Sequence, residues 1–259
     1  MPSIFHSHHT DPLPPIEPVP SLFPKIEGAD LAAATVGERL AGDFYDSIRV
    51  SPERVLFGLL DVAGRRESNR DILTAAQEMF RTLGTELFSR PDINESDAMT
   101  DLCLRLNRRV IEVSKGVHSC PAFIACYHER FGTLCYTNAG HTPGLVRDGA
   151  GVAELRSTGL PLGLFSHATC DAPTVGTDKG SALLLVSRGV VESCASGNGS
   201  SGGNPAEEFG LERIKQLLVT APTGAAEPLC AAILGEVGQF CSGSLITNDR
   251  TALALVRNA

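Results

Sequence analysis

Several features are missing from this 259-residue sequence, and each absence removes a class of function. No apolar run approaches the ~20 residues a helix needs to cross a bilayer, so no membrane span is expected. No basic segment followed by an apolar one opens the chain, so no secretory leader is expected, and the expected location is cytoplasmic. Positive charge is in deficit. The chain has 22 Lys and Arg against 30 Asp and Glu, a formal net charge of −8, with a sequence pI of about 5.4. That balance argues against nucleic acid and anionic membrane surfaces as main partners. The eight cysteines include no Cys-x-x-Cys pair and most sit in apolar contexts. They read as small, buried, reduced thiols. Cys126 and Cys135 are placed to face each other across a hairpin, and nothing requires a disulfide there. No internal repeat and no second domain is visible.

What is present suits a globular chain: 42% hydrophobic and 20% charged residues, enough to bury a sizeable core. Residues 1–25 are rich in Pro and His without periodicity and read as an extended or flexible arm. His6, His8 and His9 there are read as part of the tail, not as a metal site. Order is expected to start near Ile26, with residues 26–259 forming one domain.

The centre of the chain is residues 39–66. Gly42-Asp43-Phe44-Tyr45-Asp46 and Asp61-Val62-Ala63-Gly64 read as two acidic turns joined by strands. Arg54 to Leu60 is nearly all apolar and reads as a strand buried on both faces. A buried strand ending in an aspartate aims a carboxylate out of the sheet, and carboxylates with a free carbonyl suit a hard cation.

Around this centre the periodicity alternates between strand and helix. Glu27–Ala34 reads as a first strand. Ile72, Ala76, Met79, Phe80, Leu83 and Leu87 recur at three and four, the apolar face of a helix that ends before Pro91. Ser96 reads as the N-cap of a second helix with Met99, Leu102, Leu106, Val110 and Val113 inward. Residues 121–127 and 133–137 read as a hairpin, residues 144–146 and 152–155 as a strand pair, and residues 182–186 as a buried strand. Gly197–Pro205 reads as a mobile loop. Leu211, Ile214, Leu217 and Leu218 mark a further helix. Pro228, at an N1-like position, opens another. Residues 251–256 form a closing strand. Hairpin-linked strands imply antiparallel sheets, with helices on their outer faces: an α+β fold.

Six motifs in order carry a resemblance: residues 41–46, residues 61–64, Asn138-Ala139-Gly140-His141-Thr142-Pro143, Gly159-Leu160-Pro161-Leu162-Gly163, residues 209–213 and Asp249-Arg250-Thr251. Over roughly residues 26–257 the chain resembles the SpoIIE-like branch of the PPM (type 2C) metal-dependent serine/threonine phosphatases. The resemblance implies an αββα sandwich of two antiparallel sheets flanked by helices. It also implies two Mg or Mn ions, held by rim aspartates, that activate a water to attack a phosphoserine or phosphothreonine. Carried over, Asp61 takes the metal-bridging position, the Val62 carbonyl the adjacent backbone ligand, and Asp43 the acidic residue that holds metal-bound water. Asp43 and Asp61 are thus the catalytic candidates.

Two positions depart from the family. Where it writes Thr-Asp-Gly, this chain has Ser187-Arg188-Gly189, and where its last ligand aspartate stands, this chain has Asn248, followed by Asp249. The glycine usual after the Asp-Val-Ser-Gly-Lys stretch is Arg66. Two lost carboxylates and one gained guanidinium make the pocket about three charge units more positive. Arg cannot deprotonate to make room for a cation. The expectation is a degenerate metal site in which Arg188 pairs with Asp61, and with Asp43 or Asp249, or contacts a phosphate.

Two function classes follow. The favoured one is a pseudophosphatase that binds a phosphoprotein or regulatory protein, of the anti-sigma-factor-antagonist type known for this branch. The other is an active enzyme using a reduced or shifted site of Asp43, Asp61, Asn248 and Asp249. His141 reads as a turn brace, Glu192 as structural, and Arg65 with Arg66 as a solvated corner.

Overall fold

The computed structural model describes residues 18–37, 41–114, 119–195, 207–222, 224–241 and 248–258. His6, His8, His9 and the Gly197–Pro205 stretch lie outside the described residues.

Ten strands form two five-stranded antiparallel sheets. One sheet contains β1 (Ala29–Val36), β10 (Arg250–Arg257), β9 (Ala182–Val186), β6 (Gly144–Asp148) and β7 (Gly151–Leu155), in that spatial order. The other contains β2 (Ala41–Ser51), β3 (Arg54–Arg65), β4 (Ala122–His128), β5 (Thr133–Ala139) and β8 (Thr174–Gly176). Helices α1 (Arg66–Phe88) and α2 (Glu95–Ser114) pack on the second sheet. Helices α3 (Arg188–Val191), α4 (Gly210–Thr220) and α5 (Ala226–Phe240) pack on the first. The expected αββα sandwich is the observed architecture.

Strand alternation builds the layers. On β3, Val55, Phe57 and Leu59 enter the seam between the sheets, where they meet Phe123, Leu185, Leu253 and Leu255. Leu56, Leu60 and Val62 point the other way, into the layer under α1 and α2. A side-chain period of two produces this split, and both faces are apolar because both are covered. Each fully buried Leu or Phe of the seam contributes about 1.5–3 kcal/mol by leaving water. α1 lies close enough on its sheet that a Cβ at Gly84 would stand 2.6 Å from Leu56 Cδ2.

The two stretches read as acidic turns are strands. β2 and β3 run past them in antiparallel register, with Asp43 opposite Asp61 and a register shift only at Ala41/Gly42 and at Arg49/Ser51. The acidic composition of residues 42–46 hid this. Asp46 points from β2 into the helical layer and is satisfied by α1: Arg81 donates to both carboxylate oxygens at 2.7 and 3.0 Å, and Gln77 Nε2 donates at 3.1 Å. A carboxylate answered from 31 residues away leaves no local trace in the sequence.

Three finer expectations also shift. Asn94, not Ser96, caps α2: its Oδ1 accepts from the backbone N–H groups of Ser96 and Asp97 at 3.1 and 3.3 Å. The Ser96 hydroxyl donates to the Ala172 carbonyl instead. Pro228 stands third in α5 rather than first. Its missing N–H is still one of the unpartnered first-turn groups, and the Ala226 N–H is met by Asp30 Oδ2 at 2.8 Å.

The last residues of the expected arm are docked. Gln77 exchanges two hydrogen bonds with the Val19 backbone, the Ser21 hydroxyl donates to Tyr45 O, and Phe23 stacks on Tyr45 at 5.8 Å. This segment covers β2, which is an edge strand of its sheet.

Asp46→Ala is expected to lower stability by about 1–3 kcal/mol, because Gln77 loses a buried partner and Arg81 must turn to solvent. Urea unfolding monitored by circular dichroism measures it.

Candidate active-site rim

The same alternation places the candidate residues. β9 sends Leu183 and Leu185 into the seam, so Ser187, two residues on, emerges from the same face at the sandwich rim. β10 sends Leu253 and Leu255 inward, so Thr251 emerges beside it. The Thr251 N–H donates to Ser187 Oγ at 3.1 Å, and the Ser187 N–H donates to Thr251 O at 2.9 Å. From the facing sheet, Leu59 marks the inward parity of β3, which Asp61 shares. The pairing of Asp43 with Asp61 brings both carboxylates to one spot.

Asp61 is buried, and its N–H donates to Pro121 O at 2.9 Å. Its Oδ2 accepts the Arg188 backbone N–H at 3.3 Å and lies 3.9 Å from Arg188 Nε. The same Nε lies 3.8 Å from Glu192 Oε1. Arg188 therefore stands between two carboxylates. Its side chain is 54% exposed, so part of the guanidinium still faces solvent. The expected pair with Asp61 is present, and the second partner is Glu192, a residue read from the sequence as structural.

Asp43 Oδ2 has no hydrogen-bond partner among the described residues. Burial pushes the Asp43 carboxyl up to about 7. The charges of Asp61 and Asp249 push it the same way, and the hydroxyls of Ser187 and Thr251 oppose the shift. Asp249 is buried at the start of β10, packed so closely on Gly37 that a Cβ there would stand 2.4 Å from its Oδ1. Asn248 is exposed beside Gly189. The Val62 carbonyl accepts from Asn69 Nδ2 at 3.3 Å, and a Cβ at Gly42 would meet it at 2.2 Å.

His141 is buried on the same rim. Its N–H donates to Asn138 Oδ1 at 2.8 Å and its Nδ1 lies 3.1 Å from Thr142 O. Burial holds its pKa down, against the charge of Asp61. Its Nε2 has no partner among the described residues. Arg65 is exposed, and the Arg66 side chain lies outside the description.

The structure thus gathers Asp43, Asp61, Arg188 and Asp249 at one rim and leaves Asn248 at its outer edge. Among the described residues, no three carboxylate, imidazole or thiol side chains converge as a cation cage. A hard divalent ion asks for several oxygen ligands. Here Asp61 faces a guanidinium, and the Val62 carbonyl accepts from one amide and keeps its second lone pair. The sequence reading missed Ser187, Thr251, Glu192 and Asn69. The first two were open to a parity argument along their apolar strands, and the last two depend on tertiary packing alone.

Two antiparallel sheets face to face, helices outside and an aspartate-lined rim define the PP2C-type (PPM) phosphatase fold. Among solved structures, the chain is similar to the SiaA-PP2C domain of Pseudomonas aeruginosa, with a TM-score of 0.72 at 16% identity, covering 88% of this chain and 86% of that one. It is similar also to the RsbU and RsbW domains of Rv1364c from Mycobacterium tuberculosis, with a TM-score of 0.68 at 22% identity, covering 90% of this chain and 62% of that one. Within this fold, the chain belongs to the Stage II sporulation protein E (SpoIIE) family, whose model matches residues 51–258. The chain is 26% identical over 158 residues to phosphoserine phosphatase RsbP of Bacillus subtilis, covering 61% of this chain and 38% of that protein. It is 30% identical over 129 residues to protein IcfG of Synechocystis, covering 49% of this chain and 19% of that protein. It therefore spans well under half the length of these curated relatives.

An acid whose folded pKa lies above its unfolded value loses stability as pH rises from the unfolded pKa to the folded one, here from near 3.8 to about 7. Asp43→Asn removes that loss. The variant is expected to match the wild type near pH 3.5 and to exceed it by about 4 kcal/mol at pH 8, the gap opening between those limits. Thermal or urea unfolding across pH in the presence of a chelator measures it.

Proposed function

We propose that this SpoIIE-family chain is a pseudophosphatase: a phosphatase-fold signalling protein that binds a phosphorylated or regulatory protein partner at the Asp61 rim and does not hydrolyse it. One observation carries the reading: Arg188 stands between Asp61 and Glu192, where the family resemblance calls for a carboxylate ligand. A guanidinium there supplies positive charge to the aspartates without an ion. Its exposed part retains donors suited to a phosphoryl oxygen, with Arg188 as the binding residue.

The relatives support the partner class. One is named a phosphoserine phosphatase, and one solved neighbour combines RsbU with RsbW domains. Another neighbour is described as part of the bacterial stressosome, a modular signalling system. A phosphoserine-bearing regulatory protein, of the anti-sigma-factor-antagonist type, fits this setting. No helix among the described residues is long and apolar enough to cross a membrane. The proposed location is the cytoplasm.

A second reading has its own support. Asp43 and Asp61 are still side by side, and Asp43 Oδ2 has no partner among the described residues. With Asn248 and Asp249 at the same rim, this favours a Mg- or Mn-dependent phosphatase with a reduced site.

Titration calorimetry with Mn²⁺ separates the two. The wild type is expected to give no tight binding, and Arg188→Asp combined with Asn248→Asp is expected to gain it. Tight binding of two ions by the wild type overturns the pseudophosphatase reading. In parallel, a phosphoserine peptide is expected to bind the wild type and to lose about tenfold in affinity with Arg188→Ala, the scale of one charge-assisted hydrogen bond.

A further inference from the structure

We propose that Thr142 is a positioning residue for Arg188: its hydroxyl replaces a backbone donor that Pro143 lacks and fixes the point where β9 releases the chain to Arg188. The proposal rests on the reading of Arg188 as the phosphoryl-binding residue, and it gives a role to the Asn138–Pro143 motif.

β6 and β9 pair with Leu145 opposite Leu184 and Val146 opposite Leu183. The same antiparallel register, carried two residues past Leu145, sets Pro143 opposite Val186. The Ser187 N–H donates to Thr251 O, so position 187 turns its backbone groups to β10. Backbone direction alternates along a strand, so the Val186 carbonyl turns to β6. The residue facing it is a proline, which has no N–H to give. The Thr142 hydroxyl donates to Val186 O in its place. Val186 is fully buried, and a buried carbonyl needs a partner within the protein.

The motif holds that hydroxyl in place. Asn138 Oδ1 accepts the His141 N–H at 2.8 Å, and Asn138 Nδ2 donates to Leu155 O at 3.2 Å and to Thr142 O at 3.4 Å. Gly140 turns the chain with a φ of 70°, and a Cβ there would stand 2.5 Å from Pro161 Cγ. His141 Nδ1 lies 3.0 Å from Thr142 Oγ1 and 3.1 Å from Thr142 O. A carbonyl can only accept, and the threonine proton is spent on Val186 O, so the ring proton sits on Nδ1. The imidazole thus donates to the hydroxyl and orients its proton toward β9.

Residues 186–188 are anchored one after another as they leave β9. Thr142 holds Val186 O, Thr251 O accepts the Ser187 N–H at 2.9 Å, and Asp61 Oδ2 accepts the Arg188 N–H at 3.3 Å. The Arg188 side chain is held more loosely. Its Nε lies 3.9 Å from Asp61 Oδ2 and 3.8 Å from Glu192 Oε1, and more than half of it is exposed. Ion pairs of that length and exposure fix a guanidinium weakly. Its place between the two carboxylates is therefore set from the backbone, and Thr142 is the anchor contributed by the β5–β6 connection. Loss of the hydroxyl leaves a buried carbonyl unpaired two residues before Arg188 and frees the exit of β9 to shift.

The test compares Thr142→Val, which keeps the side-chain shape without the donor, with Thr142→Ser, which keeps the donor, in the full chain. Amide hydrogen exchange is read by NMR with no ligand added. Thr142→Val is expected to speed exchange at the Arg188 amide roughly tenfold while the Leu184 and Leu253 amides, in the buried strands, keep their wild-type rates. Thr142→Ser is expected to restore the Arg188 rate. Binding of the phosphoserine peptide is the second readout. Thr142→Val is expected to lose about as much affinity as Arg188→Ala, roughly tenfold, and to add nothing in the Arg188→Ala background, because it acts through Arg188. An Arg188 amide unchanged in Thr142→Val, an equal acceleration at Leu184 and Leu253, or an undiminished loss in the Arg188→Ala background overturns the proposal. A wild type that binds no phosphoserine peptide overturns the reading of the rim instead, and the exchange rates then decide whether Thr142 positions Arg188.

Discussion

Two carboxylates at directly opposed positions on neighbouring antiparallel strands are a repulsive pair, and the rim is arranged around that repulsion. Asp43 and Asp61 cannot separate without breaking the β2–β3 register, and that register is held along eleven residues of strand by the apolar faces on either side. Like charges opposite each other in a sheet destabilise it, and partial burial raises the cost. Something positive or a proton must answer them. In this chain Arg188 answers Asp61 from the opposite sheet, and Asp43 is left to the weaker help of two hydroxyls. A guanidinium is a permanent answer, since it does not deprotonate and does not dissociate into solvent. That permanence gives the substitution at position 188 functional weight.

The framework around the rim was largely legible. Residues 54–60 announce a strand buried on both faces, the threes and fours of α1 and α2 announce their inner sides, and the 121–137 hairpin announces itself by its turn. These signals are readable because each is local: period, length and turn chemistry lie within a dozen residues. The sandwich itself came from ordered motifs, since periodicity alone did not say which sheet packs on which.

What was not legible depends on distant pairing. Residues 42–46 look like a turn because Gly and Asp disfavour strands, and only Gln77 and Arg81 explain how Asp46 tolerates a buried strand position. Glu192 looked structural because its partner is defined by a four-residue helix invisible at sequence level. The Asp249 carboxylate sits by its motif at the rim, but its close fit against Gly37 joins residues more than two hundred positions apart. Polar residues at the ends of apolar strands, such as Ser187 and Thr251, are the intermediate case. Their strand parity is in the sequence, and their convergence is not.

The position of β10 has a consequence for how the chain matures. It pairs with β1 on one side and β9 on the other, so the last strand is interior to its sheet. Strands β2 to β5 and β8 can zip together once the chain has passed residue 176, with α1 and α2 already available to cover them. The other sheet stays split until residues 250–257 arrive, leaving β1 and β9 with exposed hydrogen-bonding edges. A nascent or truncated chain lacking those eight residues would present half a finished sandwich beside two sticky flanks, a species suited to chaperones or to misassembly rather than to signalling.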